Sequence, residues 1–310
     1  MTWVAWRVQR PQLLAAIGAV VILGIWLSAT GLAMGHSQTW KYWTDGEVYV
    51  LYALPGVLGL VLGASLLAGE MDHCTHRLAW TQSITRTRWL AFKLLVAGIV
   101  AAGMATALTV LLEWWTGAVS LAASTDSGGF SGIRIQPSGF DLTGLVVVGY
   151  TVFAFMLGSA LGAVIRHPGW AFASGVPVFV FCRVVVQDWL RPHLVAPTTY
   201  ASLTGVLSKA VENGWVLNSG LVPAGRTSPA PGQTWSTGPS TLYRSCSISS
   251  QAQTNAGQAH CAVVAHIHYV YQYQLESHYW ALQGAEMAIF LGMALLLLGA
   301  TVIAVRRWTA

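Results

Sequence analysis

Apolar runs long enough to cross a bilayer recur along the chain, divided by polar segments of very uneven length. Six stand out: Leu13–Met34, Val48–Ala68, Leu90–Leu112, Leu142–Ile165, Trp170–Leu190 and Gly284–Val305. Each holds about 20 residues, and a helix of that length spans the roughly 30 Å of a hydrocarbon core. The pattern predicts an all-α membrane protein with six transmembrane helices. Its connections differ in kind. Gly35–Glu47 is short, Gly117–Asp141 is rich in Gly and Ser without periodicity, and Arg166-His167-Pro168-Gly169 is a tight turn. Residues 191–283 form a long insertion between the fifth and sixth spans, with a Pro-rich stretch from Pro223 to Pro239 and an alternating, strand-like run Val263–Tyr273. A structureless loop of that length is uncommon, so a small ordered cap is expected there. No internal repeat is visible, and the uneven spacing of the spans argues against an inverted-repeat secondary transporter.

Composition sharpens this picture. Hydrophobic residues make up 55% of the 310 and charged residues only 9%, against about 25% charged in a typical soluble domain. Arg7 and Arg10 precede the first apolar run as they would in a signal peptide. That run is too long for a signal core, and no small-x-small site follows before Trp40, so the span is expected to be retained. In residues 1–11, Trp3, Val4, Trp6 and Val8 alternate with Arg7 and Arg10, the pattern of an amphipathic segment lying on the inner surface.

Charge sets the orientation. With both termini inside, the cytoplasmic segments hold nine basic residues (Arg7, Arg10, Arg77, Arg86, Arg88, Lys93, Arg166, Arg306 and Arg307) against Glu70 and Asp72, a surplus of seven. The rest of the chain has seven basic and nine acidic residues, a deficit of two, which recovers the formal net charge of +5. Flipping the topology would oppose the positive-inside bias. The basic balance therefore reports orientation and gives no ground for nucleic-acid binding. Many of the 15 Trp, among them Trp114, Trp115, Trp170, Trp189 and Trp280, fall at expected headgroup levels and read as an aromatic belt.

Candidate chemistry is sparse. Cys246 and Cys261 fall in the outer insertion, where oxidation is permitted, and are expected to close a short disulfide loop worth ~3 kcal/mol. His260, His266 and His268 nearby leave a zinc site as a lesser alternative, although His266-x-His268 needs no metal in an amphipathic strand. Arg183 lies within the fifth span, where a charge is expensive and calls for a partner. Glu113, Asp188 and Glu286 are the expected partners, forming either a structural ion pair or part of an outer gate. Pro55 and Pro177 interrupt two spans. The chain has no His-Glu-x-x-His pair, no Gly-x-Ser-x-Gly elbow and no phosphate-binding loop, so it is not expected to be an enzyme or to hold a cofactor. Energy for any work must come from another chain or an ion gradient.

The segment between the second and third spans is the most distinctive. Gly69–Ser83, followed by Arg86, Arg88 and Lys93, is a polar, basic insert suited to a short cytoplasmic helix that docks a soluble partner. Glu70, His73 and His76 share a helical face but fit docking as well as metal binding.

Ala68-Gly-Glu70-x-Asp72-x-x-Thr75-His76-Arg77-Leu-Ala-Trp80-Thr81-Gln82-Ser83-x-Thr85-Arg86-x-Arg88-Trp89 resembles the first cytoplasmic loop of bacterial type-2 ATP-binding-cassette (ABC) exporter permeases. Three further stretches agree: Trp6-Arg7-x-x-Arg10, Trp189-Leu190-Arg191-Pro192-His193 and Tyr279-Trp280-x-x-Gln283-x-x-Glu286. Asp72 stands where a second Glu is usual and Cys74 where Gly is usual. Leu275 and His278 replace the Pro and Arg often found there. The resemblance implies a multi-pass permease subunit of the bacterial plasma membrane, paired with a second copy or a homologous permease. It also implies docking on a separate ABC ATPase subunit, which binds the ATP and Mg, through a coupling helix at about 69–83. Glu70, Asp72, Thr75, His76, Arg77, Trp80 and Gln82 would be the coupling residues, with Arg77 contacting the ATPase and Arg86 and Arg88 the lipid phosphates. The cargo it implies is an amphipathic compound such as a drug, antibiotic, peptide or lipid. A membrane-embedded sensory or immunity protein on the same scaffold is the alternative. An ion-coupled carrier would need acidic residues mid-span, which are not apparent.

Overall fold

The computed structural model describes residues 14, 17–18, 20–32, 44–72, 86–123, 133–202, 207–223, 225–226, 228 and 266–307. Side chains are described for these except at 44–49, 70–72, 86–87, 119–123 and 267. The chain is mostly helical. In order it forms α1 (Val20–Leu32), α2 (Thr44–Asp72), α3 (Arg86–Ala123), a short α4 (Pro137–Phe140), α5 (Val146–Ile165) and α6 (Pro168–Val185). Next come a single π-helical turn (Val186–Leu190), a short α7 (Arg191–Leu194), strand β1 (Thr198–Ser202), a short α8 (Lys209–Glu212), and strands β2 (Trp215–Pro223) and β3 (Ile267–Gln274). A 3-10 turn (Glu276–His278) leads into α9 (Tyr279–Arg307).

Five stretches among the described residues are long and apolar enough to cross a membrane: Val50–Gly69, Arg88–Ala118, Val146–Ile165, Pro168–Leu194 and Glu276–Arg307. They coincide with the second to sixth expected spans. The first is described as an apolar helix only over Val20–Leu32, whose 13 residues rise about 20 Å.

The chain divides into two compact units. The first comprises residues 1–132, 138–189 and 283–310, and its main seam is the crossing of α2 and α5. Glycines make that crossing close. Gly59-x-x-x-Gly63 on α2 meets Gly158-x-x-x-Gly162 on α5, each helix laying its backbone on the other. A β-carbon built at Gly59 or Gly63 would fall inside the carbonyl oxygens of Thr151 and Phe155; one at Gly158 would lie 2.7 Å from Leu60 O. Small residues spaced by four are how helices approach in lipid, where dispersion contacts replace the hydrophobic driving force. Around this seam Leu62, Leu66, Leu67, Leu90, Leu94, Ala97, Ala101, Phe155, Ala163, Ala294 and Val305 form one buried cluster drawn from α2, α3, α5 and α9. The turn from α5 to α6 is tight because Arg166 adopts a left-handed φ of 62° as the C-cap, and His167 Nδ1 accepts from Trp170 N at the start of α6.

The second unit comprises residues 133–137 and 190–282. It contains an antiparallel sheet of order β1-β3-β2, with Tyr200 opposite Tyr271 and a bulge between Val216 and Asn218. The strand-like run foreseen at Val263–Tyr273 is β3, at Ile267–Gln274; β1 and β2 were not foreseen. Gln274 is fully buried, donating to Val195 O at 2.7 Å and lying 2.9 Å from His278 Nδ1. Burial, and secondarily the phenol of Tyr200, raises the pKa of Tyr271 above the ordinary tyrosine value. For an acid whose folded pKa is raised, the folded state binds more protons above the unfolded value. Stability therefore falls as pH climbs past about 10. Tyr271→Phe is expected to flatten that alkaline decline in a thermal-melt series from pH 9 to 11.

Candidate functional site

The helix directions in the first unit bring the start of α2, the end of α3, the start of α5, the end of α6 and the start of α9 to one end. A buried polar cluster is built there. Arg183 on α6 places Nη2 3.3 Å from Asp141 Oδ2, just after α4. Its Nη1 donates to the Tyr52 carbonyl oxygen on α2. Pro55, three residues on, removes the N–H that would bond the neighbouring carbonyl of Leu51. The guanidinium also stands 4.5 Å from the ring centre of Tyr150 and 5.6 Å from that of Tyr52, within cation–π range.

Tyr150 on α5 is the hub. Its Oη shares one proton between Glu286 Oε1 at 2.6 Å and Asp141 Oδ1 at 3.1 Å, and its ring meets Phe290 edge-on at 4.8 Å. Asp141, Tyr150, Arg183 and Glu286 are all buried. One helical turn before Glu286, Gln283 makes three hydrogen bonds. Its Oε1 accepts from Val146 N at 2.8 Å, and its Nε2 donates to Phe140 O at 3.1 Å and Thr143 O at 3.0 Å. Val146 N is one of the first-turn amides that α5 cannot satisfy by itself, so α9 caps α5 from outside. Thr143 Oγ1 donates to Gly139 O, and Gly144, at a φ of 77° that side-chain-bearing residues avoid, turns its N–H to Glu113 Oε1 at 3.2 Å. Glu113 therefore holds the turn that presents Asp141.

The sequence-derived residues are placed as follows. Arg183 has its ion pair with Asp141, not with any of the three carboxylates expected. Glu286 joins the same cluster through Tyr150, Glu113 supports it through the Gly144 turn, and Asp188 lies exposed in the π-helical turn. Asp141, Tyr150 and Gln283 were missed as site residues. Asp141 ends the aperiodic Gly/Ser-rich segment Gly117–Asp141, where nothing marks it as buried. Tyr150 was hidden inside an apolar run, although a buried phenol needs a partner. The spacing Gln283-x-x-Glu286 put both on one helix face and was the available signal.

At the opposite end lie the described cations Arg88, Lys93, Arg166, Arg306 and Arg307, with Lys93 buried 4.8 Å from the ring centre of Trp89. Glu70 and Asp72 belong to the last turn of α2, while their side chains, like Thr75, His76, Arg77, Trp80 and Gln82, lie outside the described residues. So do Cys246 and Cys261, His73 and His260. Cys182 is a free thiol. Trp115 departs from the aromatic belt: it is fully buried, donating from Nε1 to Thr30 Oγ1 at 3.3 Å. Trp114, Trp170, Trp189 and Trp280 are exposed, as a belt requires.

The family model described as ABC-2 membrane transporter related matches residues 4–191. No curated protein and no solved structure matches the chain.

Proposed function

Since the chain belongs to the ABC-2 membrane transporter related family, a family of transporter permeases, we propose that it is the permease subunit of an ATP-driven exporter. In this reading two copies, or this chain and a homologous permease, enclose a pathway in a bacterial plasma membrane. Six spans leave both termini in the cytoplasm, and residues 191–283 form an outer cap with a Cys246–Cys261 disulfide. A separate ATPase subunit supplies ATP and Mg chemistry, and the cargo is an amphipathic compound.

The observation that carries the reading is the family match, and the bundle's two unlike ends accord with it. One end carries Arg88, Lys93, Arg166, Arg306 and Arg307, which the positive-inside bias assigns to the cytoplasm. α2 ends at Asp72 and α3 begins at Arg86 on that side, and the coupling segment proposed at about 69–83 would meet the ATPase through Glu70, Asp72, Thr75, His76, Arg77, Trp80 and Gln82. The other end carries the Arg183 cluster, which with Glu113 and Glu286 closes the outer side. One helix, α2, connects them. α2 runs from the cluster to the coupling segment, and its glycines lock it to α5. When ATP binding draws the ATPase subunits together, the coupling segment moves with them and tilts α2 and α5 as a body, a two-state rigid-body device.

Co-purification from membranes with a candidate phosphate-loop ATPase tests the reading. A complex with two ATPase and two permease chains is expected. Association should weaken at least tenfold when Glu70→Ala and Asp72→Ala are combined. No association in the wild type would overturn the exporter and favour a sensory or immunity role.

A further inference from the structure

We propose that the outer gate has one moving part, the eight-residue stretch Val178–Val185 of α6, held shut by Arg183 as a latch. The name of gate rests on the exporter reading; the latch itself rests on geometry alone. Around the cluster, α5 and α9 are fastened as one piece. Gln283 ties the start of α9 to Phe140, Thr143 and Val146, Glu286 bonds Tyr150, and Phe290 packs on both Tyr150 and Phe153. None of these contacts involves α6.

The stretch is interrupted at both ends. Pro177 removes the N–H that would bond the carbonyl of Ala173. The π-helical turn beginning at Val186 breaks the regular ladder, as such turns do at functional positions. Before Pro177 the helix is seated, because Gly175 fits against Leu60 and Leu161. Beyond it, Val178, Val180, Phe181 and Val184 are exposed, and Phe179 and Arg183 are the buried residues of the stretch. Phe179 lies on the bare backbone of Gly56 and faces Phe153 at 6.1 Å between ring centres. Among the described residues, Arg183 supplies the polar attachment of the stretch, to Asp141 and to the Tyr52 carbonyl. Two side chains on one face, four residues apart, thus hold a segment whose regular hydrogen-bond ladder is interrupted at either end. Releasing Arg183 frees the stretch to swing from α5 without breaking the α5–α9 joint.

Amide hydrogen exchange of the full chain in lipid nanodiscs tests this, without any ATPase. Asp141→Asn keeps the shape and removes the charge partner. It is expected to speed exchange in 178–185 at least tenfold, with 150–165 and 287–300 unchanged. Pro177→Ala, which restores the missing amide and favours the helix, should slow exchange in 178–185 severalfold. An Asp141→Asn effect spread over α5, α6 and α9 together would mean a structural ion pair, and the latch would be abandoned. So would unchanged exchange of 178–185 in either variant. Because no partner is present, a failed latch leaves the exporter reading standing. Failure of co-purification, conversely, leaves the latch standing as a property of the fold.

Discussion

Replacing Gly63 by Ala is expected to be among the most damaging single substitutions in the chain. A methyl there meets the Phe155 carbonyl and, at 2.9 Å, the amide nitrogen of Ser159, and neither is a flexible side chain that could step aside. α2 and α5 would have to part along the seam that organises the first unit. Overpacking of a tight site costs about 1–3 kcal/mol, and a clash with backbone belongs at or above the top of that range. The same change at Gly103 or Gly292, where nothing lies within 4 Å, should be neutral or gain up to about 1 kcal/mol from helix propensity. Thermal melts of the detergent-purified variants, followed by gel filtration, decide it. If Gly63→Ala melts with Gly103→Ala, the close crossing does not hold the fold.

Gln283→Leu is the second large effect. Leucine has similar bulk but abandons Val146 N, Phe140 O and Thr143 O, all inside a region sealed from water. Leaving a buried polar group such as Val146 N unsatisfied costs about 1–3 kcal/mol, and the two bonds lost at the Phe140 and Thr143 carbonyls bring the loss to about 3 kcal/mol. Gln283→Glu keeps the acceptor for Val146 N but turns an oxygen toward the two carbonyls, so it should not rescue. Chemical denaturation monitored by tryptophan fluorescence, with Thr301→Val as a buried-polar control that loses one hydrogen bond to Leu297 O, measures the difference. A loss no larger than the control's would show that α9 does not cap α5.

The spans were legible because runs of about 20 apolar residues carry their own length signal. The second to sixth emerge as helices at nearly the expected positions. The glycines of the α2–α5 crossing were also in plain view as two Gly-x-x-x-Gly pairs. A single chain does not say which helix each pair faces, and only the fold joins them. Strand β1 carries few apolar residues, and those of β2 stand as Trp215–Leu217 and Leu221–Val222 on either side of Asn218-Ser219-Gly220, so alternation offered little to read. The cluster was half legible. An arginine inside a span announces that a partner exists, and Glu113, Asp188 and Glu286 are the acidic residues nearest the expected outer ends, whereas Asp141 closes the aperiodic segment Gly117–Asp141 and gives no such signal. The three-residue spacing of Gln283 and Glu286 was visible; their contacts with α5, 136 and 137 residues away in sequence, were not. Trp115 departs from the belt for the same reason, since the partner of its Nε1, Thr30, lies in α1, 85 residues away in sequence. The coupling residues Thr75 to Gln82 rest on their likeness to permease loops alone.

The central claim is that this chain transmits ATP binding from a partner on one face to its own bundle. Its most direct test is ATP turnover by the reconstituted complex in nanodiscs, with wild-type permease against the combined Glu70→Ala and Asp72→Ala variant. The account predicts turnover by the wild-type complex at least severalfold different from that of the isolated ATPase. In the variant, turnover should return to the isolated value while the permease stays folded. Identical turnover with and without the wild-type chain would contradict it.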